Sequence, residues 1–368
     1  MSAPTTTNTQ TTTGAPPARA ADPERLQAFI ERFAADQAAT MHAATLVVGD
    51  RLGLFARLAA IGPCSAQELA AATECHPRLV REWLSAQVAS AYCEHDAQTD
   101  TFWLTPEQTA CLADATSPTY LPGGTIAANS NHQDVDRVAQ AFRGDGGIGW
   151  GEHHPHLFLG TQRFFGPVYR GNLVQHWIPA LEGVHEKLVA GGRVADLGCG
   201  HGVALILLAE AYPESAFAGF DSHAGSIEAA REAAAEAGVS DRVTFEVAGV
   251  EDFGGADYDL ICVFNALHEW GDPVGAARRI RDALAPDGTW MFTEPRTDEE
   301  LTESVRARTF FSVSTFVCTP SALAQGAGDA LGAQAGESRL RQVTEQAGFT
   351  RFRRATETPS FMVLEARP

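Results

Sequence analysis

Residues 261–273, ICVFNALHEWGDP, combine side chains that could do chemistry with an apolar run that must position them. The run is rich in β-branched and aromatic residues, which predicts a buried strand. The loop after it presents Asn265, His268, Glu269 and Trp270. Either this loop brings an imidazole and a carboxylate to a reaction, or it only closes a sheet. The surrounding elements decide between these two interpretations.

A second segment, VADLGCGHG at residues 194–202, predicts a ligand-binding loop between a strand and a helix. Glycines at such a turn let the backbone bend tightly and approach a ligand without a Cβ in the way. Asp221 follows at the end of the next predicted strand, where a carboxylate can accept hydrogen bonds from both hydroxyls of a ribose. We therefore expect a cofactor that contains adenosine.

The spacing of this loop indicates which cofactor. A dinucleotide loop has the pattern GxGxxG, which seats a pyrophosphate on a helix N-terminus. Here the pattern is GxGxG, and Asp196 precedes it by two residues. Asp196 would repel a pyrophosphate but suits an ammonium group. The segment resembles motif I of the class I methyltransferases, whose cofactor S-adenosylmethionine carries an amino group, a sulfonium and no phosphate.

From residue 191 onward, strand and helix patterns alternate, which predicts a doubly wound α/β sheet. The five predicted strands are RVADLG, AFAGFD, VTFEVA, DLICVFNA and TWMFTEP. Ligands of such sheets bind outside the carboxyl ends of the strands, where the residues named above fall. We predict that residues 191–368 form the domain that binds S-adenosylmethionine.

Residues 24–115 show helical patterns followed by a short hairpin, which is typical of a winged helix. The segments GLFARLA, GPCSAQELAAAT and HPRLVREWL resemble the winged-helix dimerisation domain of small-molecule O-methyltransferases. The late segment at 314–337 is similar to that of an actinobacterial family of winged-helix methyltransferases. This resemblance implies a Rossmann-like sheet of seven strands, a mainly helical N-terminal domain, and a homodimer formed through that domain.

The rest of the chain is divided accordingly. Residues 1–23 are rich in Thr, Pro and Ala and lack the apolar residues needed to offset chain entropy, which predicts a disordered tail. Residues 116–190 are predicted to be a helical linker that covers the acceptor pocket.

The resemblance assigns the methionine part of the cofactor to the glycine loop and the acid before it, Asp196, Gly198, Gly200 and Gly202. It assigns the ribose to Asp221. The family usually places Asp directly behind the glycine after the third strand, to meet the adenine amino group, but Val250 stands there. Glu251, Asp252 or a backbone carbonyl is left to make this contact. Asn265 completes the expected cofactor-binding residues.

The LHEW stretch is similar to the LHDW stretch in which O-methyltransferases keep their general base. An imidazole with a pKa near neutrality can remove a proton from a phenol, enol or amine while the methyl group moves. The resemblance thus implies that His268 is a general base, with Glu269 as the residue that orients it. The alternative is that His268 only caps the loop after the strand.

A minor alternative is a metal-dependent C-methyltransferase, because some related α-keto acid C-methyltransferases place iron on a His-acid pair at this loop. His268 and Glu269 would supply two ligands of a site with two histidines and one carboxylate. A third ligand is not evident, because the late segment STFVC contains no histidine. The sequence therefore predicts no metal.

The segment GEHHPH at 151–156 does not match a standard zinc pattern, and a solvated helix start is its simplest interpretation. Its functional interpretation is a polar rim of the acceptor pocket, formed by His153 and His154. The apolar walls and the loop aromatic that would bind substrate are Trp150, Phe165, Tyr169 and Trp270. Aromatic residues here could equally be interdomain core.

Composition narrows the class of partner. The net charge of −19 and the pI near 5.0 argue against nucleic acid, because phosphate contacts need basic patches. The seven cysteines are scattered and form no CxxC pair, which favours a reducing cytoplasm. The longest aliphatic run, VALILLA, is too short to cross a bilayer. No export signal is recognised, and no membrane partner is expected.

The function predicted from the sequence is S-adenosylmethionine-dependent methyl transfer to a small organic acceptor in secondary metabolism. Two other classes remain open. One is a winged-helix regulator that senses the cofactor, and the other is a methyltransferase-fold protein that no longer transfers methyl groups.

Overall fold

The computed structural model describes residues 21–144, 146–297, 301–326, 328 and 330–368. Residues 1–20 of the predicted disordered tail, residues 1–23, lie outside the described residues. At its end, the Asp22 side chain accepts hydrogen bonds from the backbone N–H groups of Glu24 and Arg25 and caps the first helix.

The N-terminal unit is a winged helix with a core of its own. Its elements are α1 (Pro23–Arg51), α2 (Leu54–Ile61), α3 (Ala66–Ala72), α4 (Pro77–Ala89), β1 (Glu94–Asp96), β2 (Thr101–Trp103) and α5 (Pro106–Leu112). The helices begin where the sequence places good caps, since Ser65 and Thr105 both form capping boxes. The antiparallel pair β1–β2 forms the predicted hairpin.

The first half of α1 carries an exposed apolar stripe. Leu26, Phe29, Ile30 and Phe33 recur at helical spacing and are each about half exposed or more, with Phe33 at 62%. Buried residues of α1 occur only near its C-terminal end, at Leu46, Val47 and Gly49. The helix therefore presents a hydrophobic face that the described residues of this chain do not cover.

The middle segment is helical, as predicted, and packs tightly. It contains α6 (Pro122–Gln133), α7 (Val135–Ala141), a 3-10 turn (Trp150–Glu152), α8 (His156–Asn172), a π-helical turn (Leu173–Trp177), α9 (Ile178–Ala180) and α10 (Val184–Val189). A Cβ at Gly123 would overlap the Phe164 backbone nitrogen, and one at Gly160 would overlap the Ala127 backbone nitrogen. These two glycines let α6 and α8 approach each other closely.

The C-terminal unit is a seven-stranded sheet with helices on both faces. Its elements are β3 (Arg193–Leu197), α11 (Val203–Ala211), β4 (Ala216–Asp221), α12 (Ala224–Glu236), β5 (Val243–Val247), β6 (Tyr258–Phe264), a 3-10 turn (Leu267–Glu269), α13 (Pro273–Ala283), β7 (Leu284–Pro295), α14 (Val305–Val313), a π-helical turn (Ser314–Cys318), α15 (Thr319–Ala324), α16 (Gly336–Gln346), β8 (Arg351–Glu357) and β9 (Phe361–Arg367).

The strand order is β5-β4-β3-β6-β7-β9-β8, and it confirms the predicted fold class. β3 to β7 pair in parallel, whereas β9 pairs antiparallel with both β7 and β8. The chain runs outward from β3 in one direction to β4 and later in the other direction to β6. Ligands bind at the carboxyl ends of the strands at such a switch point.

None of the described helices has both the length and the apolar character needed to cross a bilayer.

Candidate active site

A cavity of about 1150 Å³ opens over the carboxyl ends of β3, β4 and β6. Three parts of the chain line it: the loops after these strands, the α6–α8 cover, and α14 with α15. A cavity of this size holds more than one small molecule. Its strand side includes most of the predicted cofactor residues, namely Gly198, Gly200, Asp221, Glu251, Asp252 and Asn265, whereas Asp196 and Gly202 are not in the wall. Its cover side includes Trp150, Phe165 and Tyr169 of the predicted acceptor residues.

The glycine loop supplies the floor of the cofactor side. Gly198, Gly200 and Gly202 all have positive φ angles, +73°, +52° and +73°, which side chains rarely adopt. A Cβ at Gly202 would collide with the Phe245 ring, whereas a Cβ at Gly200 would meet nothing within 4 Å. Gly202 is therefore needed for packing, and Gly200 leaves open space beside the cavity.

Asp196 is a buried carboxylate at the end of β3. Only 1% of it is exposed, and its Oδ1 atom has no hydrogen-bond partner among the described residues. Burial raises the pKa of this carboxyl well above its usual value, and the charge of Asp221 adds to the effect. Asp196 is not itself in the cavity wall but directly precedes Leu197 and Gly198, which are. Its free oxygen would be satisfied by a cationic group, which fits an ammonium and not a phosphate.

Asp221 is held rigidly at the end of β4. Its Oδ2 accepts a hydrogen bond from the Gly200 N–H at 2.9 Å, and its Oδ1 accepts one from the His223 N–H at 2.8 Å. Burial raises the pKa of Asp221, although these two hydrogen bonds oppose the shift. Each oxygen has a further lone pair, so the carboxylate can still accept hydrogen bonds from a diol.

The region expected to hold adenine is more open. Val250, Glu251 and Asp252 all line the cavity, and both carboxylates are exposed. On the other side, the rings of Phe158 and His223 stack with centroids 4.4 Å apart. This stack joins the α8 cover to the loop after Asp221.

Asn265 adopts a left-handed conformation with φ +53° at the end of β6. Its N–H donates to the Thr293 carbonyl at 2.9 Å, and its Nδ2 donates to the Thr293 hydroxyl at 2.9 Å. Its Oδ1 is buried without a partner among the described residues. Such strain at a non-glycine residue beside a cavity is typical of a functional position.

His268 is buried on the 3-10 turn after β6 and contacts Glu294 at the end of β7. The distance between His268 Nδ1 and Glu294 Oε2 is 2.5 Å. Burial alone would lower the pKa of His268, but the charges of Glu294 and Cys318 and their hydrogen bonds raise it well above the usual value. Glu269 lies on the other side of the ring, with its Oε1 3.8 Å from His268 Nε2. The orienting contact is therefore made by Glu294, which the sequence did not single out.

Cys318 completes a cluster with His268 and Glu269. One potential ligand atom from each residue lies within 4.8 Å of the other two. Burial raises the pKa of the Cys318 thiol to about 11 and that of the Glu269 carboxyl to about 7. The sequence offered no third ligand beside the His-Glu pair, because a cysteine 49 residues later carries no local signal of proximity.

The acceptor side of the cavity is aromatic. The predicted residues Trp150, Phe165, Tyr169 and Trp270 all line it. Further aromatic residues in its wall, not predicted from the sequence, are Phe158, Phe164, Phe310 and Phe361. The ring centroids of Phe165 and Phe361 lie 5.5 Å apart, and those of Tyr169 and Phe264 lie 5.1 Å apart.

The predicted polar rim of His153 and His154 is absent from the cavity wall. His153 is 5% exposed, and its Nδ1 lies 3.1 Å from Asp134 Oδ2. The His154 N–H donates to the same oxygen at 3.0 Å. These contacts with Asp134, between α6 and α7, hold His153 and His154 outside the cavity wall. The alternative of a solvated helix start is also wrong for His153, because its side chain is buried.

Two models of known protein families match parts of the chain. Residues 188–348 match a methyltransferase-domain family, and residues 40–114 match the Rv2258c-like winged HTH domain. The chain joins a winged-helix domain to a methyltransferase domain. Both parts of the predicted resemblance are thereby confirmed.

Several known proteins share sequence or fold with the chain. The 27-O-demethylrifamycin SV methyltransferase of Amycolatopsis mediterranei is 32% identical over 103 residues, which are 27% of this chain and 38% of that protein. The mitomycin 7-O-methyltransferase structure aligns with a TM-score of 0.68 at 20% identity, over 94% of this chain and 100% of that one. Human N-acetylserotonin methyltransferase in complex with S-adenosylmethionine gives 0.67 at 19% identity, over 92% and 97%.

The chain spans between about a quarter and a half of the length of the curated relatives it matches. The structural neighbours are similar over nearly their whole length, and at these identities they establish the fold.

Proposed function

We propose that this protein transfers the methyl group of S-adenosylmethionine to a small organic acceptor. The observation that carries the proposal is the position of His268, which lines the same cavity as Asp221, Gly198 and Gly200. The candidate site for a cationic nucleoside and the candidate proton acceptor, His268, thus line the same cavity.

The cofactor assignment rests on charge. Asp196 would accept hydrogen bonds from the ammonium group of the methionine part, and Asp221 would accept them from the ribose hydroxyls. S-adenosylmethionine supplies an electrophilic methyl group on a sulfonium and needs no phosphate site. The structural neighbour bound to S-adenosylmethionine supports this choice.

His268 is proposed to take the proton of the acceptor. In the neutral form of His268, with Nδ1–H donating to Glu294, the lone pair of Nε2 can accept a proton on the other side of the ring. General base catalysis of this kind typically contributes about 10²- to 10⁴-fold in rate. Glu294 fixes the ring and stabilises the charge that proton transfer creates, in place of the role first assigned to Glu269.

The aromatic walls favour a flat, largely apolar acceptor. Phe165, Tyr169 and Trp150 line the cavity, and aromatic contacts with a planar ligand contribute about 0.5–1.5 kcal/mol each beyond burial. The similarity to a methyltransferase of 27-O-demethylrifamycin SV supports a role in secondary metabolism.

A homodimer through the N-terminal domain is part of the proposal. The exposed stripe on α1 is suited to a second copy of the chain, because large apolar faces of helices are rarely left in water. The cytoplasm is the proposed location, since all seven cysteines are free thiols.

A DNA-binding regulator is disfavoured by the pairing of its arginines. On α4, Arg78 forms an ion pair with Glu82, and Arg81 forms one with Asp100 at 2.6 Å. A recognition helix needs such arginines for bases and phosphates.

The experiment is incubation of the protein with S-adenosylmethionine and a metabolite extract, with S-adenosylhomocysteine measured over time. We expect its formation to depend on both protein and extract. Binding of the donor without any S-adenosylhomocysteine would support a protein that has lost methyl transfer.

A further inference from the structure

We propose that His268, Glu269 and Cys318 bind one zinc ion at the acceptor end of the cavity, with a fourth coordination position open to the acceptor. The proposal rests on the proposed methyl transfer and adds a metal site to it. It departs from the prediction of no metal made from the sequence.

The three side chains offer one nitrogen, one oxygen and one sulfur atom, all within 4.8 Å of one another. This mixed set suits zinc, which accepts imidazole, carboxylate and thiolate ligands in tetrahedral geometry. Three protein ligands and one open position are the arrangement of catalytic zinc sites. Ligand atoms of tetrahedral zinc lie roughly 3.3–3.8 Å apart, so small side-chain rotations would complete the set.

The local structure brings these residues together from two directions. His268 and Glu269 lie on the 3-10 turn after β6, and Cys318 ends the π-helical turn before α15. Both turns stand at the wall of the same cavity, which His268, Glu269 and Cys318 all line. A bound acceptor could therefore reach the open position.

Besides the ligand set, the hydrogen bond between His268 and Glu294 is a feature that metal centres share. It accepts the hydrogen bond of His268 Nδ1, so that Nε2 faces Glu269 and the cavity. Histidines that bind metals usually donate their other N–H to a carboxylate in this way. A general base needs the same contact, but it does not need a cysteine within 4.8 Å.

The charge and the unsatisfied polar atoms also favour a cation. Within the described part of the chain, the carboxylates of Glu269 and Glu294 form ion pairs with His268 alone. Glu294 Oε1 and Ser321 Oγ are buried there without hydrogen-bond partners. Ser321 lies one helical turn after Cys318 and lines the cavity. A divalent ion with its bound water would balance the charge and offer hydrogen bonds to these atoms.

The metal site identifies the class of acceptor as a thiol or an acidic hydroxyl compound. The acceptor's sulfur or oxygen would bind zinc as its S–H or O–H bond breaks, and the proton would leave to water. The bound thiolate or alkoxide would then attack the methyl carbon while the carbon–sulfur bond of the sulfonium breaks, leaving a neutral thioether. In the zinc-loaded protein His268 is a ligand, and in the zinc-free protein its imidazole is the proton acceptor.

The test uses the full-length chain after removal of metals with a chelator. Zinc is titrated by calorimetry, and cobalt(II) is added as a spectroscopic substitute for zinc. We expect one ion per chain and a charge-transfer absorption band between thiolate and cobalt. Cys318→Ser should abolish the band and weaken zinc binding at least tenfold. The matched control is Cys75→Ser, in the winged-helix domain, which should keep both.

Absence of zinc and cobalt binding at equimolar concentration would overturn the proposal, as would a thiolate band that persists in Cys318→Ser. If Cys318→Ser does not fold by thermal unfolding, Glu269→Gln serves as the second ligand variant and should also weaken zinc binding. These readouts need no turnover. A protein that binds cobalt through Cys318 but forms no S-adenosylhomocysteine would refute the proposed function and leave the metal site intact.

Discussion

At the scale of single residues, the site depends on buried side chains that hold one another in place. Glu294, at the end of β7, forms a hydrogen bond with His268 on the turn after β6 and fixes its ring. The buried Asp196 carboxyl has one oxygen without a hydrogen-bond partner among the described residues. Asp221 ties the glycine loop to the loop after β4 through two backbone hydrogen bonds.

His268→Gln should preserve the fold and the affinity for S-adenosylmethionine, because glutamine keeps much of the size and hydrogen bonding of histidine. Turnover should fall about 10²- to 10⁴-fold, because glutamine cannot accept the proton. Steady-state kinetics with calorimetry of the donor separates the two effects. A loss below about tenfold would mean that His268 only caps the loop.

Asp221→Ala should weaken the binding of S-adenosylmethionine by about 1.5–3 kcal/mol, through the loss of charge-assisted hydrogen bonds to the ribose. This corresponds to roughly 10- to 150-fold in Kd. Asp241→Ala, which removes an exposed carboxylate outside the cavity wall, should have a much smaller effect. Equal affinities for the wild type and Asp221→Ala would exclude Asp221 as a ribose ligand.

The sequence predicts the site residues that belong to a local motif. It does not predict those that come from distant segments and contact one another only in the folded chain. The glycine spacing after Asp196 and the LHEW loop are local patterns, and both lie at the cavity. Glu294 and Cys318 reach His268 from 26 and 50 residues away, and neither stands in a recognisable motif. The prediction that His153 lines the acceptor pocket is wrong because its partner, Asp134, lies 19 residues earlier in the chain and no local pattern indicates the contact.

At the scale of elements, the cover of the cavity depends on the close contact between α6 and α8. Gly160→Ala should destabilise the protein by about 1–3 kcal/mol, because the added methyl group would overlap the Ala127 backbone. The control is Gly124→Ala, whose Cβ would be 3.3 Å from a movable ring carbon of Phe164. Thermal unfolding should show a clear loss for Gly160→Ala and little change for Gly124→Ala.

The strand pattern of the sequence predicts fewer strands than the structure contains, and the difference has a physical reason. Five parallel strands were identified by their apolar, β-branched runs, but β8 and β9 were expected only from the resemblance. β8 reads RFRRATE and lies at the edge of the sheet, where its outward side chains are charged. Edge strands lack the continuous apolar run of a buried parallel strand.

At the scale of the whole molecule, the uncovered stripe on α1 predicts self-association. Phe33→Glu should shift the protein toward a monomer in sedimentation experiments, because a charge in an apolar interface is costly. Ala35→Glu adds the same charge on the opposite side of the helix and should leave the dimer intact. A wild-type protein that is monomeric at micromolar concentration would rule out the dimer.

Transfer of the methyl group can be followed with S-adenosylmethionine that carries a deuterated methyl group. After incubation with a metabolite extract, mass spectrometry should detect a small molecule that has gained the labelled methyl group, in an amount equal to the S-adenosylhomocysteine formed. The product should be almost absent with His268→Gln. Tight binding of the donor with no labelled product above the level without protein would show that this protein does not transfer the methyl group to any acceptor in the extract.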